Sequence, residues 1–503
     1  MDEKTVYSHH IFLMPFKLKN NVLWSKSFQN DLKSKGFKYE KFLLKDESAY
    51  SEYNYFYDFA AKVLFNDYDE SADKKLVYVY KYNEIEKLGS YCIQISKGNS
   101  ENELFSLPLE KILFMIYPEI GIGVLSIHMN NYAYSNPNDI LKINDFGRRI
   151  YPQFLPLDAV KGSFLANKIY FKNMPEVIED FEDFISVKDI NTKNFSNFKI
   201  PKHFKIILPE SILKSIDLSV DDRMFTICWT GVDKENSVFD ELFEYDECTK
   251  EYTYANSDFW HKYLFVDGKG STCQSYNMMH GLLNKHTYDR WVKFKTLYGI
   301  TRYSFVVFGE RNGFYEGVIL NHVKTMYFKM VLLSLIYRSA YLKFSEEITN
   351  ISNNLDSSKT VSKNLEDLFS KYLKFINNYY FKEVTAQEQG IDIFDKILEA
   401  NRVKENIREL EGDFKDLFDY VNITIDDRRN ELVKILTVVA MLGIPISAIL
   451  AFFGINDVKT SNYLEFLIID FNLEGFAHML VLLSITGSLI IAIFAIKILF
   501  SKK

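Results

Sequence analysis

Three stretches of the sequence hold residue types that could bind a charged ligand. The first is Asn144-Asp145-Phe146-Gly147-Arg148-Arg149-Ile150-Tyr151-Pro152. Adjacent arginines beside a glycine and a tyrosine suit a phosphate, because guanidinium forks match its oxygens and an aromatic ring can stack on a base. The second is Asp267-Gly268-Lys269-Gly270-Ser271-Thr272, a glycine-rich loop with a lysine. It lacks the G-x-x-x-x-G-K-[ST] spacing, so it is not a P-loop. The third is Tyr298-Gly299-Ile300-Thr301-Arg302-Tyr303-Ser304, just after Arg290-Trp291. Each stretch is also what a turn, a salt bridge or a subunit contact looks like, and both readings stay open. His9-His10 falls in a strand-like run, and without a third ligand at suitable spacing it reads as structural rather than as a metal site. No Ser-His-Asp order, kinase motif or nucleotidase motif stands out, so no enzymatic activity is expected.

The elements that must position these residues belong to a chain of 503 residues, too long for one ordinary core. Hydrophobic content of 47% with a mean hydropathy of -0.13 makes most of it water-soluble. A net charge of -7 argues against a protein that coats nucleic acid, and no direct nucleic-acid partner is expected. Cys92, Cys228, Cys248 and Cys273 lie far apart with no C-x-x-C pair, and read as reduced, mostly core cysteines of a cytoplasmic domain. The opening MDEKTVYSHH is acidic and polar, unlike a signal peptide.

Two stretches set the class. Ile435 to Gly454 carries no charge, and Phe476 to Phe500 carries only His478 and Lys497. About 20 apolar residues cross a bilayer core as a helix. Basic residues Lys404, Arg408, Lys415, Arg428, Arg429 and Lys434 precede the first span, and Lys502 and Lys503 follow the second. The intervening loop sets Lys459 against Asp457, Glu465, Asp470 and Glu474. The positive-inside rule then puts both termini in the cytoplasm of a bacterial inner membrane, with the short loop outside. Two spans cannot enclose a pore alone, so conduction would need several copies around an axis. Thr437, Ala440, Gly443, Ser447 and Ala451 make one face of the first span, fit either to line a pore or to let helices pack closely.

Asn430 to Asn456, NELVKILTVVAMLGIPISAILAFFGIN, resembles the first transmembrane helix of the CorA family of divalent-cation channels. The matching points are Asn430-Glu431, Lys434, Leu436-Thr437, Ala440, Pro445 and Gly454-Ile455-Asn456. The resemblance implies a funnel-shaped homopentamer in the bilayer whose first spans line the pore. Asn456 would sit at the outer mouth, Ser447 would supply a hydroxyl ring, and Leu436 with Val433 would form an apolar constriction that gates by dewetting. Asp419 falls where the family places a regulatory metal carboxylate; it is also an ordinary solvated charge of a stalk. Divalent cations, Mg2+ among them, are the implied permeant or regulatory ions. The chain departs from the family at Ile455, which replaces methionine, and in a longer outer loop without Met-Pro-Glu. The Ile455 variant leaves magnesium selectivity open, and the loop keeps acidic residues that could concentrate cations, as many solvated loops do.

Ahead of the spans, apolar residues spaced by three and four from Ile393 to Ile425 predict one stalk helix over 391–425, running without proline into the membrane. Two further helices are predicted around Val323 to Asn350 and Val361 to Val384, with Met330 to Tyr337 a buried helix too short to span. His10–Phe16, Leu76–Tyr82, Tyr91–Ile95, Ile122–His128, Phe225–Trp229 and Tyr303–Phe308 read as strands. The expected fold class is an α+β (or α/β) cytoplasmic domain over 1–320, a helical stalk over 321–433, and a transmembrane part over 434–503.

A CorA-like pore under an oversized cytoplasmic domain resembles the branch associated with type III CRISPR systems. That resemblance implies gating by a nucleotide second messenger, a class that includes an S-adenosylmethionine–AMP conjugate. Arg148, Arg149, Arg302 and Lys269 would then contact the ligand. Two rivals stand beside it: a housekeeping magnesium, cobalt or zinc transporter controlled by internal metal, and a membrane-anchored sensor that conducts nothing.

Overall fold

The computed structural model describes residues 5–437 together with 486–487, apart from 20–21, 44–46, 66–74, 97–101, 150–164, 175, 177–178, 181–201, 222, 269, 355–357, 422 and 424–432. The chain divides into two compact units, residues 1–353 with 364–413, and residues 354–363 with 414–503. The first unit is built on a 13-stranded mixed sheet. Near the middle of its main path lies β1 (Ser8–Leu18), which pairs antiparallel with β6 (Ile122–Asn131) on one side and β10 (Phe225–Val232) on the other. Beyond β6 lies β5 (Asn102–Tyr117), which pairs with β4 (Ser90–Ser96), and β4 with Lys168–Phe171. Beyond β10 lies Ser304–Glu310, the one parallel neighbour on this path, and beyond that the antiparallel strand Thr296–Ile300. All six strands read from the sequence are present.

β1 is buried along nearly its whole length, as a strand covered on both faces must be, and its middle, residues 11–16, is accordingly a continuous apolar run. Pro15 sits inside it without breaking the sheet. Pairing with β10 ends at Leu13 and pairing with Ile216–Leu218 begins at Phe16, so Pro15 falls where one neighbour gives way to the next and no ladder donor is needed. Phe12, Met14 and Phe16 join Ile143 and Phe146 of α1 (Pro137–Gly147) and Phe204 and Ile207 in the larger core. The other face receives the long helix α2 (Tyr315–Ser352), whose Phe328 ring lies 5.0 Å from His128 of β6.

α2 is 38 residues long and, among the described residues, the one helix long and apolar enough to cross a membrane. Most of its apolar stretch is buried against the sheet, and Met330 to Tyr337 are core residues, as the flanking Lys329 and Arg338 imply. Its first third is wound as two π-helical segments, Tyr315–Ile319 and Val323–Tyr327. The next helix, α3 (Ser358–Asn378), stops before the expected Val384.

The stalk differs from expectation. In place of one helix over 391–425, α4 (Glu388–Ala400) ends at Asn401, Arg402 turns left-handed with φ 52°, and a new helix covers 403–421. The side-chain amide of Asn401 donates to the Ile397 carbonyl at 3.1 Å. Asparagine at a helix end followed by a left-handed residue is a C-cap, and it outweighs the unbroken apolar period. The two spans at 435–454 and 476–500 lie outside the described residues apart from 435–437 and 486–487. Of the four free cysteines, Cys92 and Cys228 are buried as expected, whereas Cys248 is exposed and Cys273 is half-buried.

His203 packs among the rings of Tyr91, Phe171 and Phe204. Burial pushes its pKa down from 6.5 to about 3. Its folded pKa lies below its unfolded one, so the neutral ring contributes stability that is whole above pH 6.5 and is lost as pH falls toward 3. The slope for one such group is about 1.4 kcal/mol per pH unit. His203→Phe is expected to remove that share, measured as a shallower fall of Tm between pH 6.5 and 4 in the detergent-solubilised protein. An unchanged slope would mean that His203 charges without cost.

Candidate functional site

The three stretches marked in the sequence converge in the first unit. α1 is started by Asn136, whose side-chain oxygen caps the Asn138 N–H at 3.0 Å, with Pro137 at the first helical position. The helix ends on Gly147. A Cβ there would come within 2.6 Å of Ile93 and 2.9 Å of Phe12, so only glycine lets the helix end lie this close to the sheet. The Tyr91 hydroxyl donates to the Gly147 carbonyl at 3.0 Å. Arg148 and Arg149 follow directly.

Arg148 is only 3% exposed, and burial lowers its pKa to about 10. Its Nη2 donates to the Val266 carbonyl at 3.2 Å, and Asp145 lies 4.0 Å away. Among the described residues its Nε and Nη1 have no hydrogen-bond partner. Val266 ends the helix Asp258–Phe265 in the left-handed region at φ 58°, a strained conformation for a β-branched residue, and this turn presents its carbonyl to Arg148. Asp145 then accepts from Arg149 at 3.0 Å and from the Gly268 N–H at 3.0 Å. The glycine-rich loop is thereby tied to the arginine pair.

The third stretch is joined through residues that the sequence did not mark. Arg149 and Arg223 face each other in an isolated β-bridge, and the Met224 N–H donates to the Arg148 carbonyl at 2.8 Å. Arg223 is paired with Asp221 at 2.6 Å, and its guanidinium lies 4.9 Å from the centre of the Tyr303 ring. Arg338 of α2 lies 5.2 Å from the same ring and donates to the Arg302 carbonyl at 3.0 Å. Arg302 Nε donates to the Ala400 carbonyl at 3.3 Å. Four guanidiniums are therefore linked from the core outward, Arg148 at 3% exposure, Arg149 at 18%, Arg223 at 32% and half-buried Arg338, with exposed Arg302 joined through its backbone carbonyl. Such a file can hold oxyanions by charge-assisted hydrogen bonds. Arg223 and Arg338 have no motif around them. A basic residue two positions from Asp221, and another on an apolar helix, carry no signal beyond their charge.

The remaining candidates are placed as follows. Lys269 lies outside the described residues. Arg290 pairs with Glu388 and Asp392 at 2.8 Å each and straps α4 to the loop beside it, a structural role. Asp419 is exposed on the helix over 403–421, and no group of three metal-ligating side chains occurs among the described residues. Val433 and Leu436 are exposed on a helical segment over 433–437, where the Thr437 hydroxyl donates to the Val433 carbonyl at 2.7 Å. Ala440, Ser447, Gly454, Ile455 and Asn456 lie outside the described residues.

His9 and His10 point to opposite faces of β1 and are both fully buried. His10 Nδ1 is 2.7 Å from Asn144 Oδ1 and 3.6 Å from Cys228 Sγ. Burial pushes its pKa down, but Cys228 and Asn144 outweigh that and leave it raised. His9 Nδ1 is 2.8 Å from Asn130 Oδ1 and 3.6 Å from Glu110, which also holds Lys324 of α2 at 2.7 Å. Burial and Lys324 drop the His9 pKa to about 3. Both imidazoles are structural.

Residues 335–497 match the family model described as CorA-like Mg2+ transporter protein, about a third of the chain. No curated protein matches the chain. The match spans the stretch Asn430–Asn456 and supports a resemblance to CorA, a family of membrane proteins that transport divalent cations. It begins inside α2, downstream of every strand of the sheet.

The Asp145 anchor can be tested on its own. Asp145→Ala removes this acceptor from Arg149 and from the Gly268 N–H, and takes from buried Arg148 its nearest carboxylate. The loss is expected to be about 3 kcal/mol, seen as a lowered Tm of the solubilised protein. An unchanged Tm would show that the three stretches are held together by something else.

Proposed function

We propose that this chain is a membrane conduit for divalent cations whose large N-terminal unit senses a phosphate-bearing ligand. The match of residues 335–497 to CorA-like Mg2+ transporters carries the first half of the reading. Several copies, five by the family resemblance, would surround a pore lined by the span at 435–454, with Asn456 at the outer mouth, Ser447 deeper in, and Leu436 with Val433 at the inner constriction. Both termini face the cytoplasm on this reading.

The convergence of the stretches that carry Arg148, Arg149 and Arg302 supports the second half, because a neighbourhood rich in guanidiniums matches a phosphorylated ligand better than isolated turns would. The resemblance to the type III CRISPR-associated branch supplies a ligand class, an adenosine-based second messenger such as an S-adenosylmethionine–AMP conjugate, and with it a role in antiviral defence. Control by internal metal at Asp419 is the competing mode.

Flux of Mg2+ and Co2+ through the purified protein in liposomes tests both halves. Cation flux that changes with an adenosine-based messenger at fixed millimolar magnesium is the expected result. Flux that ignores nucleotides and falls as internal magnesium rises would place control at the metal. Absence of flux under all conditions would leave a membrane-anchored sensor. Leu436→Asn is expected to wet the constriction and leak ions constitutively, and Asn456→Ala to alter discrimination between cations. A tight Leu436→Asn channel would move the gate elsewhere.

A further inference from the structure

The geometry points to an oxyanion-binding site centred on Arg148, Arg223 and Arg338, with Tyr303 as the spacer that holds two of them, for a ligand carrying at least two phosphate charges. This rests on the ligand-sensing half of the function proposed above and adds the residues and the ligand charge.

The first observation is Arg148. A cation with 3% exposure and two nitrogens lacking a hydrogen-bond partner among the described residues is costly, and proteins avoid it unless something else supplies the acceptor. Its one close acceptor is a carbonyl presented by a strained left-handed valine. The fold thus bears two costs at one point, a buried cation incompletely paired and a backbone turned against its preference. Such pairs of costs gather at ligand sites.

The second observation is independent and lies nearer the surface. Arg223 and Arg338 both lie against the Tyr303 ring, at 4.9 Å and 5.2 Å, coming from different elements, the approach to β10 and helix α2. Two guanidiniums around one ring repel each other. Asp221 offsets Arg223, but Arg338 makes no carboxylate pair among the described residues and donates only to a backbone carbonyl. Arg302, next in the chain to Tyr303, likewise makes no carboxylate pair among the described residues and donates to the Ala400 carbonyl. Positive charge is therefore in excess at the outer end of the file and unsatisfied at its inner end. One phosphate at each end would complete both, and the donors between, on Arg149 and Arg223, are already oriented by Asp145 and Asp221. Arg148 lacks acceptors at one end and Arg338 lacks a carboxylate at the other, so the ligand that suits both carries two anionic groups, as a diphosphate, a polyphosphate or a phosphodiester with a further phosphate does.

Phosphate charge can come from a soluble ligand or from lipid headgroups, and the test separates them. The full chain is placed in nanodiscs of phosphatidylcholine, and its Tm and equilibrium binding are measured with inorganic pyrophosphate, with ADP, and with adenosine as the uncharged control. A second set of discs contains phosphatidylglycerol and no added phosphate. Pyrophosphate and ADP are expected to raise Tm and bind, adenosine to do neither, and affinity to fall with salt. Arg148→Met is expected to keep or raise Tm without ligand, since it removes a buried cation, and to weaken pyrophosphate at least about tenfold. Arg338→Ala, a half-buried position that does not threaten folding, is expected to weaken it similarly. Stabilisation by phosphatidylglycerol that Arg338→Ala abolishes would assign the same site to a headgroup. The site is overturned if neither phosphate source binds the wild type, if both variants bind pyrophosphate as the wild type does, or if Arg148→Met lowers Tm without ligand. Pyrophosphate binding with no effect on cation flux would uphold the site and sink ligand gating. Flux that responds to a nucleotide equally in the wild type and both variants would uphold gating and sink the site.

Discussion

One buried carboxylate organises the part of this protein most suited to recognition. Asp145, on the last turn of α1, accepts from the neighbouring arginine and from the backbone of a loop far along the chain. Without it the end of α1 and the glycine-rich loop would each present positive or polar groups to a low-dielectric interior with nothing opposite. The close seating of Gly147 on the sheet brings that carboxylate to the edge of the core, where it is 6% exposed and its charge is poorly screened by water. The arginine file is the consequence: Arg148 inside, Arg149 on the carboxylate, and Arg223 drawn alongside through the bridge between their backbones.

The sheet was legible wherever its strands were short and uniformly apolar. Ser8–Leu18 and Phe225–Val232 announce themselves because both faces are covered. The longest strand, Asn102–Tyr117, does not. Pro108 and the charged pair Glu110-Lys111 interrupt the alternation, and the register slips between Leu109 and Lys111. A period-two reading loses such a strand at the bulge. The stalk shows the converse. Its apolar spacing passes smoothly through Asn401 and Arg402, and periodicity carries no mark of a left-handed residue.

The candidate site was legible in composition and illegible in assembly. Arg148, Arg149 and Arg302 could be marked as phosphate-type residues, and they do belong to one neighbourhood. Arg223 and Arg338 could not, because what makes them relevant is contact with the Tyr303 ring across 80 and 35 positions of the chain that only the fold creates. The same holds for His9 and His10. Adjacent in sequence, they are separated by the sheet itself, one joined to Asn130 and Glu110, the other to Asn144 and Cys228. A pair that could have suggested metal binding is divided by the alternation of a strand.

The π-helical opening of α2 bears on how such a chain could have been assembled. A π segment accommodates an extra residue without interrupting the helix, and each one rotates everything downstream relative to what lies upstream. α2 has two of them, both complete before Phe328, and the similarity to CorA-like transporters starts only at residue 335. The helix thus contains a register adjuster between the N-terminal sheet and the C-terminal third that matches the CorA-like model. A segment of that kind lets a new front end be joined to an old membrane module in stages. Single-residue insertions are absorbed in the wide turns, while the packing of the downstream face is preserved.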